Sequence, residues 1–121
     1  MFYEELKTLC TLNGISGRET PVSDYILERC REYGAEAYRD NLGNVIAFKK
    51  GKRAPKHKLM LCAHTDEVGA IVTGITKDGM LRIATVGGIN PRVLVGHRVT
   101  VGDAFLPGVI GSKSIHHMTQ E

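Results

Sequence analysis

The chain has 121 residues, 42% apolar and 24% charged, proportions that fit a soluble globular domain with a core and exclude a disordered one. Its formal net charge is only +3, and the one basic stretch, residues 49–58, holds Gly51 and Pro55 with no interleaved aromatic side chain, so a nucleic-acid partner is not expected. No apolar run approaches the ~18 residues of a membrane helix, and Glu4 and Glu5 stand where a signal peptide needs basic residues, so a cytoplasmic protein with no membrane partner is expected.

In chain order, Phe2, Leu6, Leu9 and Cys10 recur at helical spacing ahead of Gly14, which predicts an amphipathic helix over the first dozen residues. A second helix is predicted from about residue 20 to 33. Its stripe is Val22, Tyr25, Ile26, Cys30 and Tyr33, with Pro21 in the first turn and Gly34 beyond the end. Ser16 and Glu19 also have capping-box spacing, which leaves the start of this helix open by several residues. From residue 35 the period falls to two, and residues 35–40 and 44–48 flank Asn41, Leu42 and Gly43 as a hairpin.

Residues 58–63, KLMLCA, form a compact apolar run of the kind that fills a strand covered on both faces. His64 then stands at the C-terminal end of that strand, the position at which open α/β sheets bind ligands. Beyond Gly69 the texture changes. Residues 70–75 and 80–84 flank a hairpin turn at 76–79, residues 98–101 and 107–110 read as further short strands, and no helix is legible. The expected architecture is an α/β beginning, residues 1–69, followed by a β-rich segment, residues 70–121. Cys10, Cys30 and Cys62 are odd in number, lack CxxC spacing and sit in apolar patterns, so they are expected to be reduced core thiols.

Chemistry concentrates at residues 61–70, LCAHTDEVGA. In an extended chain His64 and Asp66 share a face, while Glu67 points away unless the backbone turns. An imidazole and a carboxylate suit a divalent metal, either as two ligands or as a ligand and the carboxylate that orients it. Alone, the same residues serve equally as the polar end of a buried strand, and a metal site needs ligands from elsewhere. The alternation also sets Asp66 and Glu67 apart, against the acid and nucleophile of a glycosidase, which must flank one bond roughly 5 to 9.5 Å apart. No Ser or Cys occupies a glycine-flanked elbow, and Gly87 and Gly88 lack the context of a phosphate cradle. His57, His97 and the pair His116 and His117 read as loop or solvated residues.

Several ordered segments together resemble the N-terminal part of the glutamyl-aminopeptidase and deblocking-aminopeptidase family. They are LNGISGRE at 12–19, DNLGNVIA at 40–47, KLMLCAHTDEVG at 58–69, Gly87 and Gly88 with PRVLVGHRVTV at 91–101, and GVIGSK at 108–113. Members are cytoplasmic aminopeptidases with two divalent metal ions, usually zinc or cobalt, and some carry an endoglucanase label. The resemblance implies that His64 is a metal ligand and that Asp66 is the supporting catalytic acid. It also implies an α/β metallopeptidase domain interrupted shortly after this motif by an inserted all-β, barrel-like dimerisation domain, assembly into homo-oligomers, and a peptide substrate.

At roughly a third of the family's usual length, the chain holds one of the family's metal ligands. The bridging Asp, the Glu-Glu pair with the general base, the later Asp and the last His are expected beyond Glu121. A catalytic zinc needs three protein ligands, so these 121 residues alone are expected to be inactive and to bind metal weakly or not at all. The other class of reading is a non-enzymatic oligomerisation or binding module. Incomplete cores and open strand edges predict association in either case.

Overall fold

The computed structural model describes residues 2–53 and 56–112. His116 and His117 lie outside them. Two helices open the chain. Helix α1 (Phe2–Thr11) carries Glu4 and Glu5 in its first turn, where they complement the helix dipole. Helix α2 (Thr20–Glu32) starts with Pro21 in its first turn and ends with Arg29 and Arg31 in its last. Gly34 terminates it at φ 73°, a left-handed conformation that favours glycine. The amides of Gly34 and Ala35 then donate to Arg31 O and Cys30 O at 2.9 and 3.0 Å.

The capping box does not form. Glu19 occupies the N-cap position without a side-chain cap, and its carboxylate instead accepts from Gly17 N–H at 2.6 Å. Ser16 is engaged elsewhere, as described below.

Strands β1 (Glu36–Arg39) and β2 (Val45–Phe48) pair antiparallel, with Glu36 opposite Phe48 and Arg39 opposite Val45. Asp40 closes their turn, accepting at 2.9 Å from Leu42 N–H, Asn44 N–H and Asn44 Nδ2. These donors hold its carboxyl below the ordinary range, with the Asn44 side chain contributing most. Helix α2 packs on this hairpin. Strands β3 (Gly69–Ile75) and β4 (Leu81–Val86) form a second hairpin, irregular between Val72 and Gly74. Thr76 closes it, its hydroxyl oxygen accepting from Met80 N–H at 2.9 Å.

The chain divides into two compact units, residues 1–87 and 88–121. The elements above belong to the first. The second contains a 3-10 turn at Pro91–Val93, absent from the sequence expectation and started by Asn90 Oδ1 accepting from Arg92 N–H at 3.1 Å. It also contains the antiparallel pair β5 (Arg98–Val101) and β6 (Leu106–Val109). Two helices followed by strands make a small mixed α/β structure. Among the described residues no helix is long and apolar enough to cross a membrane.

One expected strand is missing. Residues 58–63 form no strand, and Leu59, Met60 and Leu61 are 85%, 82% and 86% exposed. A strand buried on both faces is held by ladders to its neighbours, and among the described residues nothing pairs with this run. For the same reason Cys62 is an exposed thiol. Cys10 is exposed on α1, a helix with no buried residue, and only Cys30 is partly covered. Among the described residues the core is small: Val22 and Ser23 on α2 are 7% and 4% exposed.

Candidate metal centre

The site is built where the link between α1 and α2 crosses the segment after the apolar run. Ile15 and Glu67 form an isolated parallel bridge. Glu67 N–H donates to Gly14 O at 2.8 Å, and Ser16 N–H donates to Glu67 O at 3.4 Å. The Glu67 carboxylate turns back to accept from Gly14 N–H at 3.0 Å. Two glycines permit the approach. A Cβ on Gly14 would lie 2.6 Å from Val22 Cγ2, and one on Gly69 would lie 2.5 Å from Ile15 Cδ1.

This crossing places Ser16 beside Asp66. The Ser16 hydroxyl donates to Asp66 Oδ2 at 2.5 Å, a charge-assisted contact. The other carboxylate oxygen, Oδ1, lies 3.2 Å from His64 Nδ1, which is also 2.9 Å from the carbonyl oxygen of Asp66. Two acceptors at Nδ1 require a proton there, which leaves Nε2 of the neutral ring with a lone pair. The hydrogen bond from Ser16 is the largest influence on the Asp66 carboxyl and holds it below its usual range; burial opposes it, and the backbone amide of Asp66 and then His64 add smaller effects in the same direction as Ser16.

The His64 side chain is 86% exposed and that of Asp66 44%. Both border an open cleft of about 490 Å³, whose walls also include Ser23, Arg39 and Asn44. Arg39 pairs with Asp24 through Nη2, while its Nε is buried with no partner among the described residues.

The structure thus brings together His64 and Asp66, as their i, i+2 spacing allows. Among the described residues no third His, Cys, Asp or Glu joins them in a cluster able to hold a metal. Sequence reasoning missed Ser16 and the use of Glu67. The capping-box spacing claimed Ser16 for α2, and simple alternation sent Glu67 away. The available signal was the pair of glycines, Gly14 and Gly69, each of which marks a close backbone approach.

Residues 43–121 match the M42 glutamyl aminopeptidase family. The chain is 37% identical to the glutamyl aminopeptidase of Lactococcus lactis subsp. cremoris, over 82% of this chain and 28% of that protein. Among solved structures, a TET aminopeptidase from the marine sediment archaeon Thaumarchaeota archaeon SCGC AB-539-E09 superposes with a TM-score of 0.84 and 38% identity, covering 97% of this chain and 33% of that one. The TET1 peptidase of Pyrococcus horikoshii, which can assemble into a tetrahedron or a large octahedral shell, gives a TM-score of 0.76 and 35% identity over 100% of this chain and 36% of its own. The chain therefore spans about a third of the length of these relatives. By its family match and these likenesses, the chain belongs to the M42 glutamyl aminopeptidase family.

Proposed function

We propose that the chain is the N-terminal portion of a metal-dependent aminopeptidase, a hydrolase that removes the first residue from peptides. In this reading His64 supplies one ligand to one of two divalent ions, zinc or cobalt, and Asp66 holds that ligand in place. The observation that carries it is the engagement of His64 Nδ1 by both the carbonyl and the carboxylate of Asp66, which leaves Nε2 unprotonated on an exposed ring. That donor fits zinc or cobalt, for which imidazole nitrogen is a suitable ligand.

A divalent ion in this class of site supplies Lewis acidity toward a carbonyl oxygen and lowers the pKa of a water. This chain's own residues do less. Asp66 fixes the ring tautomer and orientation, and His64 presents Nε2. The remaining ligands and the base for water are expected outside these 121 residues.

We further propose that residues 70–121 contribute to a β-rich, barrel-like dimerisation domain and that the whole protein forms homo-oligomers in the cytoplasm. The hairpins of this half and the shell assembly of the Pyrococcus horikoshii relative support that reading.

Two measurements on the purified 121-residue chain test the proposal. Zinc titrated into ¹⁵N-histidine-labelled chain should perturb His64 Nε2 weakly and selectively, and Asp66→Ala should reduce that response. Incubation with peptides and zinc or cobalt should release no N-terminal residue. An unresponsive His64 Nε2 would remove it as a ligand, and efficient turnover would show that the missing ligands are not needed.

A further inference from the structure

Of the two contacts at His64 Nδ1, the one to the Asp66 carbonyl at 2.9 Å is set by the backbone, whereas the one to Oδ1 at 3.2 Å depends on how the carboxylate is turned, and one side chain from the other crossing segment controls that. We infer that Ser16 is the positioning residue of this site: its hydroxyl holds Asp66 Oδ2, which aims Oδ1 at His64 Nδ1 and adds a second acceptor to the Asp66 carbonyl, strengthening the preference for Nε2 as the nitrogen offered to a ligand. The hydroxyl donates to Oδ2 at 2.5 Å, and Oδ1 stands 3.2 Å from Nδ1.

A serine hydroxyl has one proton to give, so this donation fixes its role as donor. Asp66 is 44% exposed, and without that donor its carboxylate is free to rotate toward water. Ser16 itself is delivered by contacts that do not involve its hydroxyl. Its amide donates to Glu67 O, and Gly14 is bound to Glu67 through both backbone and carboxylate. The link between the two helices is therefore a part of the site, although it lies some fifty residues from His64 in the chain.

The inference deepens the proposal that His64 is a ligand, but its test needs no metal. In metal-free chain at about pH 8, two-bond ¹H–¹⁵N spectra should show His64 mainly as the Nδ1–H tautomer. Ser16→Ala should shift the ring toward Nε2–H, whereas Ser16→Thr, which keeps the hydroxyl, should restore the wild-type ratio. Unchanged Glu67 and Gly14 amide signals would show that the crossing itself persists. A tautomer ratio in Ser16→Ala equal to wild type would overturn the inference.

If Ser16→Ala does not fold, the wild-type chain decides through three-bond couplings at Asp66: one χ1 rotamer is expected, and averaged rotamers would overturn it. A zinc titration separates this from the ligand reading. Loss of the carboxylate support behind a metal-bound histidine costs about 10- to 100-fold in affinity. Ser16→Ala should cost the lower end, about 10-fold, with Ser16→Thr near wild type. A wild-type chain in which zinc leaves Nε2 unchanged would sink the ligand reading alone, because the tautomer comparison would still judge Ser16.

Discussion

Gly14 and Glu67 exchange two hydrogen bonds: Glu67 N–H donates to Gly14 O at 2.8 Å, and Gly14 N–H donates to Glu67 Oε1 at 3.0 Å. One residue thereby binds both polar groups of another through its own backbone and side chain. The carboxylate does for Gly14 what a neighbouring strand would do, so a single bridge holds without a longer ladder. Glu67→Ala should leave Gly14 N–H without this partner and lower the unfolding free energy by on the order of 1 kcal/mol, read as a lower urea midpoint at unchanged slope.

Gly14→Ala attacks the same crossing from the packing side. Its Cβ would fall 2.6 Å from Val22 Cγ2 and 3.2 Å from Thr65 O, and Val22 is the most buried apolar side chain described. Overpacking of this kind costs about 1–3 kcal/mol. Thermal melts should show Gly14→Ala losing more stability than Gly74→Ala, where the added methyl meets nothing within 4 Å and the backbone is not left-handed. Equal losses would mean that the crossing is not tight in solution.

Glu5 ties α1 to α2, accepting from the Tyr33 hydroxyl and from Nε and Nη2 of Arg29, whose guanidinium sits 4.9 Å from the centre of the Tyr33 ring. The hydrogen bond from Tyr33 is the largest cause of the depressed Glu5 pKa, followed by that from Arg29. Tyr33→Phe should therefore raise the Glu5 pKa toward the usual glutamate range, measured from the Glu5 side-chain carbon signal as pH is varied. An unchanged pKa would place the Tyr33 hydroxyl elsewhere in solution.

Asp40 gives the first hairpin a dependence on acid. Its folded pKa is depressed below the unfolded value by the Asn44 side chain and the turn amides. Its contribution is therefore fully present above the unfolded carboxylate pKa of about 4, and it is lost as pH falls through the lower folded value. Amide exchange in β1 and β2 should accelerate below about pH 4, and Asp40→Asn should flatten that dependence. Exchange that is indifferent to pH after correction for the intrinsic rate would count against the turn geometry.

Much of this fold was legible because its signals are local. The stripe through Val22 and Tyr25 marks α2, period two marks β1 and β2, and Thr76 to Gly79 marks the turn between β3 and β4. His64 and Asp66 were legible for a similar reason, since two residues on one face of an extended segment need only a small turn to meet. Ser16 and Glu67 were not, because their partners lie 50 and 53 residues away and no spacing rule reaches that far. The expected strand at 58–63 fails in the opposite sense. Apolar content states what the run would bury, but a strand exists only where a second chain segment offers its N–H and C=O groups.

That unmet requirement yields the last prediction. Leu59, Met60 and Leu61 are more than four-fifths exposed, and burying each is worth about 1.5–3 kcal/mol, roughly 5–9 kcal/mol for the three. A small domain's whole stability is about 5–15 kcal/mol, so this exposed run is a driving force of the same order. Its backbone joins no strand ladder among the described residues, and so can template one with another chain. The isolated 121-residue chain should therefore self-associate through residues 58–63, with sedimentation velocity showing concentration-dependent oligomers at about 10–100 μM, the range in which exposed edges aggregate. Placing charge on the run, as in Leu59→Lys with Leu61→Lys, should shift the distribution toward monomer while the β3–β4 hairpin, which lies outside it, keeps its amide signals. A wild-type chain that stays a monodisperse monomer across that range would mean that the run is covered within its own chain, contrary to the exposure of all three side chains.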